Sequence, residues 1–151
     1  MIVCASDRYD AVAVCGLRND GKNAESVRDD FAGMLAAFRR QDEDCRAHPG
    51  GPVFVLFVAG DVPVPDARSR KELAAAASGL GSSRHCFVLV STSSLVRGVL
   101  RAVTWLAPPK KGHHVATVDR LAEAYLEAER VRGQRLLALR ELGARVEREV
   151  G

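Results

Sequence analysis

Val53-Phe54-Val55-Leu56-Phe57-Val58-Ala59 is an unbroken apolar run rich in β-branched and aromatic residues, bounded by His48-Pro49-Gly50-Gly51-Pro52 before it and Gly60-Asp61 after it. A strand with one wet face alternates apolar with polar residues, so a run without alternation belongs to a strand covered on both faces, at the centre of a parallel sheet. Upstream, Val27, Phe31, Met34, Leu35 and Phe38 recur at helical spacing, and this amphipathic helix frays before the Pro/Gly cluster. Further upstream, Ile2-Val3-Cys4-Ala5 and Ala11-Val12-Ala13-Val14-Cys15 flank Ser6-Asp7-Arg8-Tyr9-Asp10, which predicts a hairpin at the edge of the sheet.

Downstream, Asp61-Val62-Pro63-Val64-Pro65-Asp66 is an extended loop leading into an alanine-rich helix that ends near Gly79. Pro65 suits the helix start, and Ser69 with Glu72 matches a capping box. Cys86-Phe87-Val88-Leu89-Val90 is a second buried strand. Ser91-Thr92-Ser93-Ser94 offers N-caps for a helix carrying Leu95, Val96, Val99, Leu100, Val103 and Leu106, which Pro108-Pro109 stops. Trp105, among apolar neighbours, is expected in the core. Val115-Ala116-Thr117-Val118 is the last strand, and Asp119 is placed to cap the helix of Leu121, Ala124, Tyr125 and Ala128. Helices between strands imply right-handed crossovers. The fold class is α/β: a mostly parallel five-stranded sheet with an antiparallel edge strand, in the order β-β-α-β-α-β-α-β-α, with a long C-terminal helix. Residues 1–130 read as one domain and 131–151 as a helical extension. In that extension Leu136, Leu139, Leu142, Val146 and Val150 keep a three-and-four spacing beyond Gly133, an apolar face that can pack on its own domain or on another chain.

Composition narrows the function. The chain has 151 residues, 47% of them hydrophobic, enough for one closed core. Its 22 Lys+Arg against 19 Asp+Glu leave a charge of +3, and aromatic residues are 5% of the chain, so nucleic acid is not the expected partner. Ile2 to Ala5 is too short for a signal-peptide core, and no apolar stretch approaches the roughly 20 residues of a membrane span, so no membrane association and a cytoplasmic location are expected. Cys4, Cys15, Cys45 and Cys86 form no C-x-x-C pair and are expected reduced.

The chemical candidates are few. Asp61 follows a central strand as in phosphoacceptor receiver domains, but the first strand ends in Cys4-Ala5-Ser6 without the acidic pair, and Lys110-Lys111 precede the last strand instead of following it. His85, His113 and His114 are imidazoles near two strand starts, yet neighbours in a strand point to opposite faces, so no metal site is expected. Cys86 beside His85 fails as a nucleophile and base for the same reason. Gly79-Leu80-Gly81-Ser82-Ser83 follows a helix and precedes a strand, the reverse of a phosphate-cradling loop, and reads as a helix stop. No catalytic residue and no cofactor is assigned.

The element order, together with the segments Val53 to Leu73 and Cys86 to Leu126, resembles the STAS domain, the fold of bacterial anti-sigma-factor antagonists. In particular it is similar to single-domain STAS-like proteins of the myxobacterial type, in which a buried strand leads to a loop ending in Pro-Asp, here Pro65-Asp66, and a later helix carries spaced arginines like Arg97 and Arg101. The resemblance covers the chain to about Glu129. It implies a non-catalytic interaction module of a bacterial signalling or regulatory system that docks to a kinase-like protein or a larger signalling assembly, with a phosphorylatable Ser at the start of the second helix. Here Ala67 stands where that Ser is expected. Ser69, after Arg68, is the nearest regulatory candidate, and phosphate there would meet the helix N-terminus. The expected interaction surface comprises Asp61, Asp66, Arg68, Ser69, Arg70, Leu136, Leu139 and Leu142. Two alternatives stand beside it: a small-ligand-binding protein or enzyme using the carboxyl edge of the sheet near Asp61, Asp66, Ser91 and Thr92, and a homo-oligomeric structural component joined through the C-terminal helix.

Overall fold

The computed structural model describes residues 1–21, 23–63 and 65–151; Lys22 of the first polar stretch and Val64 of the proline loop lie outside the described residues. The elements run β1 (Ile2–Asp7), β2 (Val12–Arg18), α1 (Ala24–Cys45), β3 (Val53–Ala59), α2 (Ala67–Ser78), β4 (His85–Val90), α3 (Ser94–Leu106), β5 (His113–Val118), α4 (Leu121–Arg132) and α5 (Leu137–Val150). The strands form a five-stranded sheet in sequential order, β1-β2-β3-β4-β5. β1 is antiparallel to β2 and the other pairs are parallel, with Val14, Val55, Val88 and Ala116 in one row across the sheet. This is the α/β class expected from the apolar run at 53–59.

Sequential parallel strands joined by right-handed crossovers place all their connecting helices on one face. Accordingly α1, α2 and α3 cover one side through Met34, Phe38, Leu73, Val96 and Leu100, against Ala13, Phe54, Leu56 and Leu89 of the strands. The opposite side is covered by α4 and α5, whose Leu121, Ala124, Leu139 and Val146 pack on Val12, Val14, Val55 and Val88.

α5 reaches that second face because the chain turns at Gly133, which closes α4 in the left-handed conformation at φ 78°. Glu129 ties the turn: one carboxylate oxygen accepts the Leu136 backbone N–H at 2.7 Å and the other accepts Arg140 at 2.5 Å. Gly16 on β2 then lets α5 approach, since a Cβ there would lie 2.6 Å from side-chain atoms of both Val146 and Val150. Leu136 and Leu139 are 0% exposed, and Leu142 is partly buried against the same cluster. Segment 131–151 therefore closes the core of the chain. The expectation that these leucines offer a surface to another molecule is corrected for Leu136 and Leu139, whose apolar area is already removed from water by the core, while Leu142 is only partly covered.

Two further expectations change. Cys4 and Cys15, directly opposite in the antiparallel pair, form a disulfide, while Cys45 and Cys86 are free and buried. Scattered positions in the sequence hide this pairing because the hairpin register creates it. Trp105 is 85% exposed. It lies nine residues from the buried Val96, which at 3.6 residues per turn puts it on the opposite side of α3. No helix among the described residues is long and apolar enough to cross a membrane.

Candidate functional site

Between the sheet and the layer of α1, α2 and α3 lies an apolar cavity of about 170 Å³. Its floor is the sheet, through Phe54, Leu56, Phe87 and Leu89, and its walls include Met34 and Phe38 of α1 and Val96, Leu100 and Val103 of α3. Val62, Pro63 and Pro65 of the proline loop border it. α2 contributes to this space. That helix brings Leu73, Ala76 and Ala77 to the wall, and methyl groups are too short to fill the gap that bulky side chains would occupy. The alanine run 74–77 is the sequence signal for the cavity, and a helix-propensity reading passes over it because alanine is also the best helix former.

Among the described lining residues, Arg39, His85 and Thr104 alone carry polar side chains. Arg39 is exposed, and Thr104 donates to the Arg101 carbonyl at 2.9 Å. His85, the first residue of β4, is buried, and its Nδ1 has no hydrogen-bond partner among the described residues. Its pKa is lowered to about 4, by burial first and by the neighbouring His113 second, against a smaller opposing pull from Asp42. His85 is therefore neutral at physiological pH.

The polar residues singled out in the sequence lie around the cavity without lining it. Asp66 is the N-cap of α2 and accepts the Ser69 backbone N–H at 2.8 Å; these hydrogen bonds hold its carboxyl below the usual carboxylate range. Ser69 is thus in the first turn, and the capping box expected between Ser69 and Glu72 is replaced by Asp66. Arg68 pairs with Glu72 at 3.3 Å on the surface, Arg70 donates to the Pro65 carbonyl at 2.9 Å, and Asp61 is exposed. Ser91 is buried, with its hydroxyl accepting the Ser93 N–H at 3.1 Å, and Thr92 is exposed. The apolar space runs under the helices and reaches the carboxyl edge of the sheet through Leu17, Val58, Val62, Pro63 and Pro65, while Asp61, Asp66, Ser91 and Thr92 lie outside its lining.

The histidines and thiols divide between the two faces. His113 stacks on His85 with centroids 3.8 Å apart and donates from Nε2 to the Ser82 carbonyl at 2.9 Å, whereas His114 meets Glu127 of α4 at 2.7 Å. Burial pushes the Cys86 thiol up to about 12, which keeps it protonated and a poor nucleophile at neutral pH.

No family model, curated protein or solved structure matches this chain. Function is therefore argued from the cavity and from the helix that covers it. α3 is two-sided: Val96, Leu100 and Val103 face the cavity, while Leu95, Trp105 and Leu106 are exposed.

Proposed function

We propose that the chain is a non-catalytic binding module that holds a small apolar molecule between the sheet and α1–α3. One observation carries this: a cavity of about 170 Å³ walled almost wholly by hydrocarbon. Apolar cavities of about 150 Å³ stay dry and bind molecules the size of benzene. An occupant that fills the space removes its apolar walls from water and gains contact with them.

The test is a thermal-shift titration of the full chain with toluene. The melting temperature rises with toluene concentration if the cavity is a site, and stays flat if it is not.

A second reading, docking to a protein partner as a STAS-like regulatory module, is favoured by the outer side of α3. Leu95, Trp105 and Leu106 are 59%, 85% and 50% exposed there, and exposed aromatic anchors are typical of interface hot spots. The two readings join in α3, because an occupant pressing on Val96, Leu100 and Val103 acts on the helix that displays Trp105. Ser69 stays the candidate for modification in this reading; it is partly exposed in the first turn of α2.

A further inference from the structure

α3 carries an apolar stripe that the rest of the chain leaves uncovered. Leu95 is 59%, Trp105 85% and Leu106 50% exposed, and with Gly98 and Ala102 between them they follow the three-and-four spacing of one helix face. Glycine inside a helix is destabilising relative to alanine, and Gly98 is not required by the chain's own packing, since a Cβ there would meet nothing within 4 Å. Gly98 and Ala102 leave a shallow dip between Leu95 and Trp105. The charge around the stripe has one sign. From Leu73 to Val118 the sequence holds Arg84, Arg97, Arg101, Lys110 and Lys111 and no Asp or Glu, so this segment is more positive than the +3 of the whole chain and the remainder is net acidic. The acidic residues that flank it in sequence, Glu72 and Asp119, are paired with Arg68 and Arg97. Arg101 is exposed, lies one turn before Trp105 on the same side of α3, and has no ion pair among the described residues; the same holds for the exposed Lys110 and Lys111 after the helix.

The charge and the shape of the face select its occupant. A second copy seated α3 on α3 would bring Arg101 toward an identical cationic face with no carboxylate to answer it, and like charges across an interface are repulsive. A lipid surface rewards a wide apolar area, which the dip at Gly98 and Ala102 withholds from the middle of the stripe. An amphipathic helix fits both features: a ridge of apolar side chains enters the dip between Leu95 and Trp105, and Asp or Glu on its flank meets Arg101. Tryptophan and arginine are also the side chains that anchor such contacts most often. We propose that the outer face of α3 docks an acidic amphipathic helix of a protein partner, with Trp105 as the apolar anchor and Arg101 as the charge that selects carboxylates. This rests on the reading of the chain as a docking module and names the chemistry of the partner.

Trp105 is the single tryptophan of the chain, so its fluorescence reports directly on this face. The probes are displayed helical peptides with apolar residues along one stripe and Glu, Gln or Lys randomised on its flanks, selected on the full chain and then titrated while the Trp105 emission is followed. The expected result is enrichment of Glu over Lys, a saturable blue shift of Trp105, and affinity that falls as salt rises. Arg101→Glu weakens the same peptides about fivefold or more, with the melting temperature unchanged because the position is exposed. Peptides that shift Trp105 but carry Lys or uncharged flanks, or that bind Arg101→Glu equally well, overturn the acidic partner and leave docking on α3 standing. If no peptide is enriched, or the enriched ones leave the Trp105 emission unmoved, the docking face and the proposal fall together. A blue shift produced by phosphatidylglycerol vesicles and by no peptide, or by raising the protein concentration with nothing added, assigns the face to lipid or to a second copy and likewise overturns the proposal.

Discussion

Ala76→Leu tests the cavity by removing it. Ala76 sits on α2 and its methyl group forms part of the cavity wall, so a leucine there projects three more carbons toward the void. At about 0.8 kcal/mol per buried methylene the gain is at most about 2.4 kcal/mol, and ordering the leucine side chain returns about 0.5–1 of that. A net stabilisation of about 1.5 kcal/mol is expected, inside the range of known cavity-filling changes and equivalent to roughly 3–6 °C in melting temperature for a chain of this size. A fully closed void of about 170 Å³ would cost about 4 kcal/mol at 24 cal/mol per Å³, an upper bound here because the space opens to solvent beside the exposed Arg39, Pro63 and Ala77. That is also the upper scale of affinity for a simple hydrocarbon that fills it, a dissociation constant of about 1 mM. Paired melts with and without toluene measure both quantities: the variant starts higher and no longer responds to toluene. A lower melting temperature with an undiminished toluene response would mean that Ala76 is already packed and that the molecule binds elsewhere, and would refute the reasoning.

Three other outcomes follow from the same structure. Under denaturing, non-reducing conditions the chain titrates as two free thiols, Cys45 and Cys86, with Cys4 joined to Cys15; reduction lowers stability by about 2 kcal/mol, the lower part of the usual range because the bond closes a short loop, its cysteines 11 residues apart, and a titre of four thiols contradicts the bond. A chain ending at Arg132 loses Leu136, Leu139, Val146 and Val150, all fully buried. At about 2 kcal/mol each that is about 8 kcal/mol, comparable to a whole domain's stability, so circular dichroism should show no cooperative melt, and a native-like melt would refute the role of α5 as core. His85 binds a proton less readily folded, at about 4, than at its ordinary 6.5. The unfolded chain therefore takes up more protons as pH falls below 6.5, and the stability present above that value is lost progressively toward pH 4. Melting temperatures between about pH 7 and 5 should fall more for wild type than for His85→Phe, and parallel curves would count against a buried neutral histidine.

The sheet was legible because its signal is local and redundant. The unalternating run at 53–59, the caps after each strand and the Pro/Gly breaks all agree, and agreement across levels is what specifies a fold. The fate of the last helix was not, since Leu136 and Leu139 are equally suited to an intramolecular and an intermolecular surface. The choice was made by Gly16, a strand glycine whose missing Cβ admits Val146 and Val150. Trp105 is not placed by its apolar neighbours in sequence, because these are not its neighbours on a helix, where nine residues are two and a half turns and put it opposite Val96. The disulfide depended on hairpin register, which joins Cys4 to Cys15 across the turn.

The site was the least legible part, for a physical reason: a cavity is an absence of side-chain volume. It becomes visible only when α2 is laid over Phe54 and Leu89 and its alanines fail to reach them. His85 was visible as a strand-edge histidine, but its unpaired Nδ1 depends on the closure of the helix layer and on the His113 ring beside it.

The most direct test of the binding module is two-dimensional NMR of the isotopically labelled full chain during titration with toluene. Saturable shifts concentrated in methyl and amide signals of Leu89, Val96, Leu100 and Ala76, which surround the cavity, are the predicted result. Toluene shifts absent from these residues, or confined to the exposed side of α3 around Trp105, would contradict an internal site.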